Sequence, residues 1–200
     1  MKKDLLDIFS LTESLERTAA LAQWVQELYP SEKNRPVLVG GAAVELLTGG
    51  AYVTGDLDFA GSVPPTVARS LKQAGFTRKG RHWLHEKGRV FLEFPSAVLR
   101  DGEKAVKRNF SGRTVLVVSP EDLIVDRLSA WLHWRSPLDG VNAYLVYRSV
   151  HSGLDQERLK ERAAAEKVQQ ALTSVEEFFS EYGTAVPDGE AMEAWARKGP

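Results

Sequence analysis

The chain has 200 residues, of which 43% are hydrophobic, and a formal net charge of −1 at pH 7. This length and apolar content allow one ordinary domain with a core, and they exclude both global disorder and a protein that coats nucleic acid over its whole surface. Because cysteine is absent, disulfides and thiolate metal sites are excluded and the cytoplasm is the expected location.

Residues 1–36 form the first expected segment, with apolar residues at helical spacings. Asp4 and Asp7 interrupt the stretch that a secretory signal would need. No run approaches the roughly 18 apolar residues of a membrane span, so we expect no membrane partner. The segment is predicted to form one or two helices that pack on the following core.

Residues 37–60 carry the densest signal in the chain. A short apolar run, Val37 to Val39, predicts a buried strand, and Gly40-Gly41 then leads into the helix-forming residues 42–47. Glycine lets a backbone approach a ligand closely, and the start of a helix offers free N–H groups to an anion.

A pair of acids, Asp56 and Asp58, follows this helix. In a strand both carboxylates point to the same side, while Leu57 and Phe59 point to the other. Two close carboxylates repel each other unless a divalent cation lies between them. A site for a nucleoside triphosphate and a metal is therefore indicated.

The next segment predicts a helix that begins at Pro64 or Pro65 and runs to about Ala74, then a hairpin with strands Phe76 to Leu84 and Val90 to Phe94. Glu93 stands alone among apolar residues of the second strand. A buried Glu is costly unless it is paired or binds a metal, whereas in an edge strand it would simply face water.

This order of strand, Gly40-Gly41, helix and Asp56-Leu57-Asp58-Phe59 resembles the DNA polymerase β-like nucleotidyltransferase superfamily. The amino-acid sequence around the glycines, Gly-Gly-Ala-Ala-Val-Glu-Leu-Leu, looks most like that of the small bacterial nucleotidyltransferases. Some of these are toxins of toxin–antitoxin or phage-defence systems. The resemblance is good over about residues 35–95. It implies an α/β (α+β) nucleotidyltransferase fold, a small mixed sheet of about five strands with flanking helices and an α-helical C-terminal portion.

The resemblance also implies the roles of the site residues. Gly40 and Gly41 would bind the NTP phosphates through backbone N–H groups. Asp56, Asp58 and Glu93 would be catalytic and would hold two Mg²⁺ ions, with Mn²⁺ as an alternative.

Residues 69–113 hold twelve Lys or Arg and four acids, a charge near +8 within a chain of −1. Such a segment is a candidate binding surface for RNA or for the triphosphate, and equally a solvated basic face. Lys104, Lys107 and Arg108 are the expected acceptor-binding residues. His82 and Trp83 offer rings on which bases could stack.

The remaining segments are predicted to be helical. Residues 37–118 would form the catalytic core and 119–200 a helical C-terminal portion, with a helix opening at Ser119-Pro120, a long helix over 155–181 and a short one over 190–198. By the resemblance Arg127 and Asp139 would contact the nucleotide. As structural residues, they would be a helix-face cation and the N-cap of a helix from Gly140 to Tyr147.

The favoured function is metal-dependent transfer of a nucleoside monophosphate from an NTP to a hydroxyl acceptor, with RNA or tRNA preferred. A toxin role would add an antitoxin partner. The alternative is a non-catalytic nucleotide- or protein-binding module that keeps the fold.

Overall fold

A computed structural model describes residues 5–183 and 185–200. Two parts of the chain lie outside these ranges: residues 1–4, from the predicted N-terminal segment, and Thr184, which follows the predicted long helix. The predicted α/β class, with a mixed sheet followed by a helical portion, is confirmed. Over the described residues, no helix has the length and apolarity that crossing a membrane requires.

The sheet has seven strands among the described residues instead of about five. They are β1 (Val37–Val39), β2 (Asp56–Ala60), β3 (Thr77–Lys79), β4 (His82–His85), β5 (Val90–Ser96), β6 (Ala105–Phe110) and β7 (Arg113–Val118). Their order is β3-β4-β5-β2-β1-β7-β6, with β1 antiparallel to β2 and parallel to β7, and β2 parallel to β5. The other neighbouring pairs are antiparallel.

Two departures account for the extra strands. The predicted strand Phe76 to Leu84 turns at Gly80, whose φ of +64° favours glycine, and so becomes the β3–β4 hairpin. The segment Ala105–Phe110 was expected as a basic surface and forms edge strand β6. Its polar composition hides the usual strand signal because an edge strand need not be buried on both faces.

The described residues also form nine α-helices. They are α1 (Leu5–Phe9), α2 (Ser14–Glu27), α3 (Gly40–Leu47), α4 (Pro65–Gln73), α5 (Pro120–Trp134), α6 (Pro137–Val150), α7 (Gln156–Ala165), α8 (Gln169–Tyr182) and α9 (Gly189–Lys198). The chain divides into two compact units, the first ending at Val118 and the second beginning at Ser119.

One face of the sheet in the first unit is covered by helices. Leu57, Phe59, Trp83 and Leu92 project from it and are at most 4% exposed. Burial of side chains of this size contributes roughly 1.5–3 kcal/mol each to stability. Helix α2 lies over this face, where Trp24 stacks on Phe76. Phe76 in turn contacts His85 of β4. We call this side of the sheet the helix-covered face.

The second unit is a helical bundle with an aromatic core. Phe178 of α8 stacks on Trp195 of α9 with ring centroids 4.5 Å apart, and Trp131 of α5 donates a hydrogen bond from Nε1 to the carbonyl of Ala196 at 2.8 Å. Buried Asp122 of α5 accepts from Arg158 and Arg162, which secures α7 against α5.

Two expectations for the second unit are wrong. The single helix over 155–181 is divided between Ala165 and Gln169, because Lys167 adopts a left-handed conformation (φ +58°) and the N–H of Val168 bonds back to Ala163 at 2.8 Å. Asp139 is not an N-cap: helix α6 begins earlier, capped by the Ser136 side chain.

Candidate functional site

Asp56 and Asp58 lie on the face of β2 opposite to the helix-covered one. The strand's burial alternates, with Asp56 exposed, Leu57 buried, Asp58 half-buried and Phe59 buried. We call this side of the sheet the carboxylate face. The alternation places both acids where a ligand can reach them, while their neighbours anchor the strand in the core.

Glu93 projects from the same face on the adjacent strand. It is the register partner of Asp58 in the parallel pair β2–β5, and neighbouring strands lie about 5 Å apart. Its side chain is 20% exposed and its Oε1 lies 2.6 Å from Nε of Arg81, at the turn between β3 and β4. His82 Nδ1 lies 3.5 Å from Glu93 Oε2 and makes no hydrogen bond.

Gly40 begins α3 directly beside the acids, because Val39 is the register partner of Asp58 on the other side of β2. Its φ is +64°, and a Cβ at this position would overlap the Asp58 carboxylate. At Gly41 a Cβ would lie 3.1 Å from Thr54 Oγ1. Both glycines therefore let the strand-to-helix turn pass close to the loop and strand that carry the acids.

These residues fit a divalent cation in their chemistry. Three carboxylates from two neighbouring strands on one face supply the oxygen ligands that Mg²⁺ prefers, and without a Cβ at Gly40 the Asp58 carboxylate can lie against the glycine turn. Over the described ranges, no group of three or more acids or histidines is gathered as a finished metal site. Glu93 is turned to Arg81 instead, so an ion bound by all three acids would have to replace this guanidinium.

Glu45 of α3 is a functional candidate that the sequence prediction overlooked. It is fully buried and accepts hydrogen bonds from Ser14 Oγ at 2.5 Å, Thr18 Oγ1 at 3.2 Å and the backbone N–H of Thr54 at 3.4 Å. Thr54 Oγ1 accepts in turn from the N–H of Asp56 at 3.4 Å. A lone acid within Ala-Ala-Val-Glu-Leu-Leu was the signal, by the same argument that identified Glu93.

Arg127 and Asp139 belong to the second unit and pair with each other, Nη1 to Oδ1, at 2.8 Å. Arg127 also pairs with Asp126. The structure thus gives both residues a local structural role. Contact with a nucleotide stays a prediction for them.

The expected acceptor-binding residues lie in or beside β6, at the far edge of the sheet and three strands from β2. Lys107 and Arg108 are consecutive in the strand, so they project from opposite faces. Lys107 Nζ lies 2.8 Å from Glu32 Oε2, and this pairing lowers the pKa of the Glu32 carboxyl. Lys107 and Glu32 line an open pocket of about 500 Å³.

The two aromatic residues expected to stack on bases point in different directions. Trp83 is 1% exposed and belongs to the helix-covered face, where Arg78 packs over its ring at 5.7 Å. His82 is half-buried on the carboxylate face. Of these two residues, His82 is therefore the one that can offer its ring to a ligand next to Glu93.

Two solved structures share this fold. An antigenic nucleotidyltransferase-like protein from Paracoccidioides brasiliensis matches over 79% of this chain and 91% of its own, with a TM-score of 0.53 and 18% identity. The antibiotic-resistance factor ANT(2'')-Ia matches over 88% and 98%, with a TM-score of 0.51 and 18% identity. No protein-family model and no curated protein matches the sequence. At this identity the likeness establishes a nucleotidyltransferase-like fold.

Proposed function

We propose that this chain is a metal-dependent nucleotidyltransferase, which moves a nucleoside monophosphate from an NTP to a hydroxyl group. The observation that carries the proposal is the placement of Asp56, Asp58 and Glu93 on one sheet face, beside the glycine turn that opens α3. The likeness of fold to nucleotidyltransferase-like structures supports the same class.

In this proposal Gly40 and Gly41 bind the triphosphate. The first N–H groups of α3 have no partner within the helix, and the helix dipole favours an anion there. Glycine brings this backbone close to Asp58 without a side chain in between. The β- and γ-phosphates, which leave as pyrophosphate, would therefore be held on the β1 side of the carboxylates.

The acids complete the reaction. Asp56, Asp58 and Glu93 would hold Mg²⁺ or Mn²⁺, and the bound ion would supply positive charge to offset the charge developing on the phosphate oxygens. Glu93 accepts the proton of the acceptor hydroxyl. The hydroxyl oxygen forms a bond to the α-phosphorus as the bond from that phosphorus to the bridging oxygen breaks, and pyrophosphate leaves.

The charge of the surrounding segment favours a polyanionic acceptor, RNA or a tRNA end. Residues 69–113 carry a net charge near +8, and Arg81 of this segment directly contacts Glu93.

A toxin role with an antitoxin partner is a narrower form of the same proposal. It would be tested by expression of wild type and the Asp58→Ala variant in a bacterial host, with growth arrest expected from wild type alone.

Calorimetric titration of each of the four NTPs, with and without Mg²⁺, tests the site without knowledge of the acceptor. We expect metal-dependent binding of at least one NTP to wild type, and its loss in Asp58→Ala. Asp101→Ala is the matched control, because Asp101 is an exposed acid of the same unit that lies in a turn between β5 and β6 and outside strands β2 and β5. Equal binding by Asp58→Ala and wild type would overturn the active-site assignment.

The non-catalytic alternative gives a different result in a second assay. A binding module would take up the NTP with metal but release no pyrophosphate when total RNA and labelled NTP are added. A transferase would put the label onto an RNA species and release pyrophosphate in equal amount.

A further inference from the structure

Six side chains form a regular array on the carboxylate face, three strands wide. Their positions follow from the register of β2 with β5 and of β5 with β4. One row across the strands is Asp56, Phe91 and Leu84, and the next row is Asp58, Glu93 and His82. Adjacent members of a row belong to strands about 5 Å apart, so the side chains of β4 and β5 directly border the carboxylates.

Apart from Glu93, the side chains that β4 and β5 contribute to this array are His82, Leu84 and Phe91, which are aromatic or apolar. His82 and Phe91 have ring centroids 5.1 Å apart with an angle of 43° between the rings, and Leu84 lies beside Phe91. All three are half-buried. On the opposite side of the same strands, Trp83 and Leu92 are buried in the core. The rings are thus partly open to solvent on a rigid support.

The rings of His82 and Phe91, which we call the platform, lie on the opposite side of the carboxylates from the glycine turn. The strand order places β1, which leads into Gly40, on one side of β2, and β5 and β4 on the other. In an in-line displacement the attacking and leaving oxygens lie on opposite sides of the phosphorus. Since the proposed function puts the leaving pyrophosphate at Gly40, the attacking hydroxyl would enter from the platform.

The charges around the platform select the kind of acceptor. Two cations of the β3–β4 hairpin border it: Lys79 is the register partner of His82, and Arg81 lies at the turn, where it pairs with Glu93. A polycation would be repelled, whereas a nucleic-acid strand would find cations for its phosphates and rings for its bases. The rings and the surrounding positive charge therefore both favour a nucleic-acid acceptor.

We propose that His82 and Phe91 form a stacking platform for the terminal base of a single-stranded RNA acceptor, whose terminal hydroxyl then lies next to Glu93. This inference rests on the proposed function and names the substrate class of the same site. It also makes Phe91, which no other argument singles out, a specificity-determining residue.

The test uses a short single-stranded RNA with 2-aminopurine as its 3′-terminal base, titrated with the full-length protein without nucleotide or metal. Stacking on the platform should quench the 2-aminopurine fluorescence. The variant Phe91→Leu keeps an apolar side chain without a ring and should bind about five- to tenfold more weakly, with less quenching. Phe91→Tyr keeps the ring and should behave as wild type.

Phe110→Leu is the matched control, because Phe110 is a half-buried ring on the far edge strand β6. It should bind within about twofold of wild type, well below the effect of losing one stacked base. His82→Leu serves as a second ring-removing variant if Phe91→Leu does not fold, as judged by circular dichroism. Equal affinity and quenching in wild type and in the folded ring-removing variant would overturn the proposal.

Calorimetry with NTP and Mg²⁺ separates this inference from the proposed function. Weaker RNA binding with unchanged NTP binding in Phe91→Leu supports the platform as the acceptor site. Loss of NTP binding in that variant would assign the rings to the donor and overturn the inference. If wild type itself binds no NTP, the proposed function fails, and with it the assignment of any stacked RNA as an acceptor.

Discussion

Arg81 and Glu93 form an ion pair, Nε to Oε1 at 2.6 Å, at the position where the third carboxylate would meet a metal. Arg81 is 63% exposed, which places this pair among surface ion pairs worth about 0.2–1 kcal/mol. A cation that binds Glu93 must displace the guanidinium and give up this energy. Arg81 therefore competes with the metal for Glu93.

We expect Arg81→Gln to bind Mn²⁺ about two- to fivefold more tightly than wild type, because Glu93 is then released from its competing cation. Titration followed by electron paramagnetic resonance of free Mn²⁺ measures this directly. Lys79→Gln removes one positive charge from strand β3 of the same hairpin, and it should change the affinity less because Arg81 is the residue paired with Glu93. An equal gain in Mn²⁺ affinity in both variants would mean that only the net positive charge of the hairpin matters. No gain in Arg81→Gln would mean that Arg81 does not compete with the metal for Glu93.

The glycine at position 40 gives a second prediction. Gly40→Ala must accommodate both a positive φ and a Cβ that overlaps the Asp58 carboxylate. Gly49 has φ +66°, close to the +64° of Gly40, and no atom within 4 Å of an added Cβ. Gly49→Ala therefore carries only the backbone cost, about 1 kcal/mol.

We expect Gly40→Ala to lose more stability than Gly49→Ala in urea unfolding, by about 1–3 kcal/mol. It should also lose metal-dependent NTP binding, which Gly49→Ala should retain. The same loss of stability and the same NTP affinity in both variants would show that the approach of Gly40 to Asp58 has no consequence.

The local part of the site could be predicted from the sequence because strand alternation is a local rule. The side shared by Asp56 and Asp58 follows from a period of two, and the turn at Gly40 from glycine's conformational freedom. The pairing of Asp58 with Glu93 depends on register between strands that are distant in the chain. No local pattern specifies that register, and here the family resemblance supplied the expectation.

Other features depend on contacts that a single sequence does not display. Lys167 ends α7 in a left-handed conformation that glycine usually adopts, so the break between α7 and α8 has no glycine signal. Trp83 and His82 are adjacent, yet only the sheet register and the helices covering one face decide which ring is buried. Arg81 reaches Glu93 only because the hairpin turns one residue earlier, at Gly80.

Tyr29 gives a prediction about alkaline pH. Its hydroxyl is buried and donates a hydrogen bond to the carbonyl of Ser62 at 3.1 Å, and burial raises the pKa of Tyr29 above its ordinary value of 10.0. Above that value the unfolded chain loses a proton that the folded chain keeps, so stability falls as pH rises. Below it, the contribution is fully present.

We expect the stability difference between wild type and Tyr29→Phe to shrink by about 1 kcal/mol between about pH 8 and about pH 11, because phenylalanine has no proton to lose. Urea unfolding of both proteins at the two pH values measures it. The other buried tyrosines are present in both proteins and cancel in the difference. A difference that does not change with pH would contradict the prediction.

Glu45 connects the core to the start of strand β2 through hydrogen bonds. Its carboxyl accepts from the N–H of Thr54, whose hydroxyl accepts from the N–H of Asp56. In Glu45→Gln, one acceptor oxygen becomes an amide NH₂ group that faces other donors, so we expect a loss of about 1–3 kcal/mol in urea unfolding. Because the loop before Asp56 is then less fixed, Mn²⁺ affinity should fall as well, although Glu45 is not proposed to touch the ion.

Thr18→Val is the matched control for this positioning role. It removes one donor to Glu45 on the α2 side and leaves the hydrogen bond to Thr54 in place. We expect it to lower stability with little change in Mn²⁺ affinity, whereas Glu45→Gln lowers both. A lower stability in both variants with unchanged Mn²⁺ affinity would make Glu45 a structural residue of the core and disconnect it from the site. A loss of affinity confined to Glu45→Gln would place the start of β2 under the control of a residue on α3.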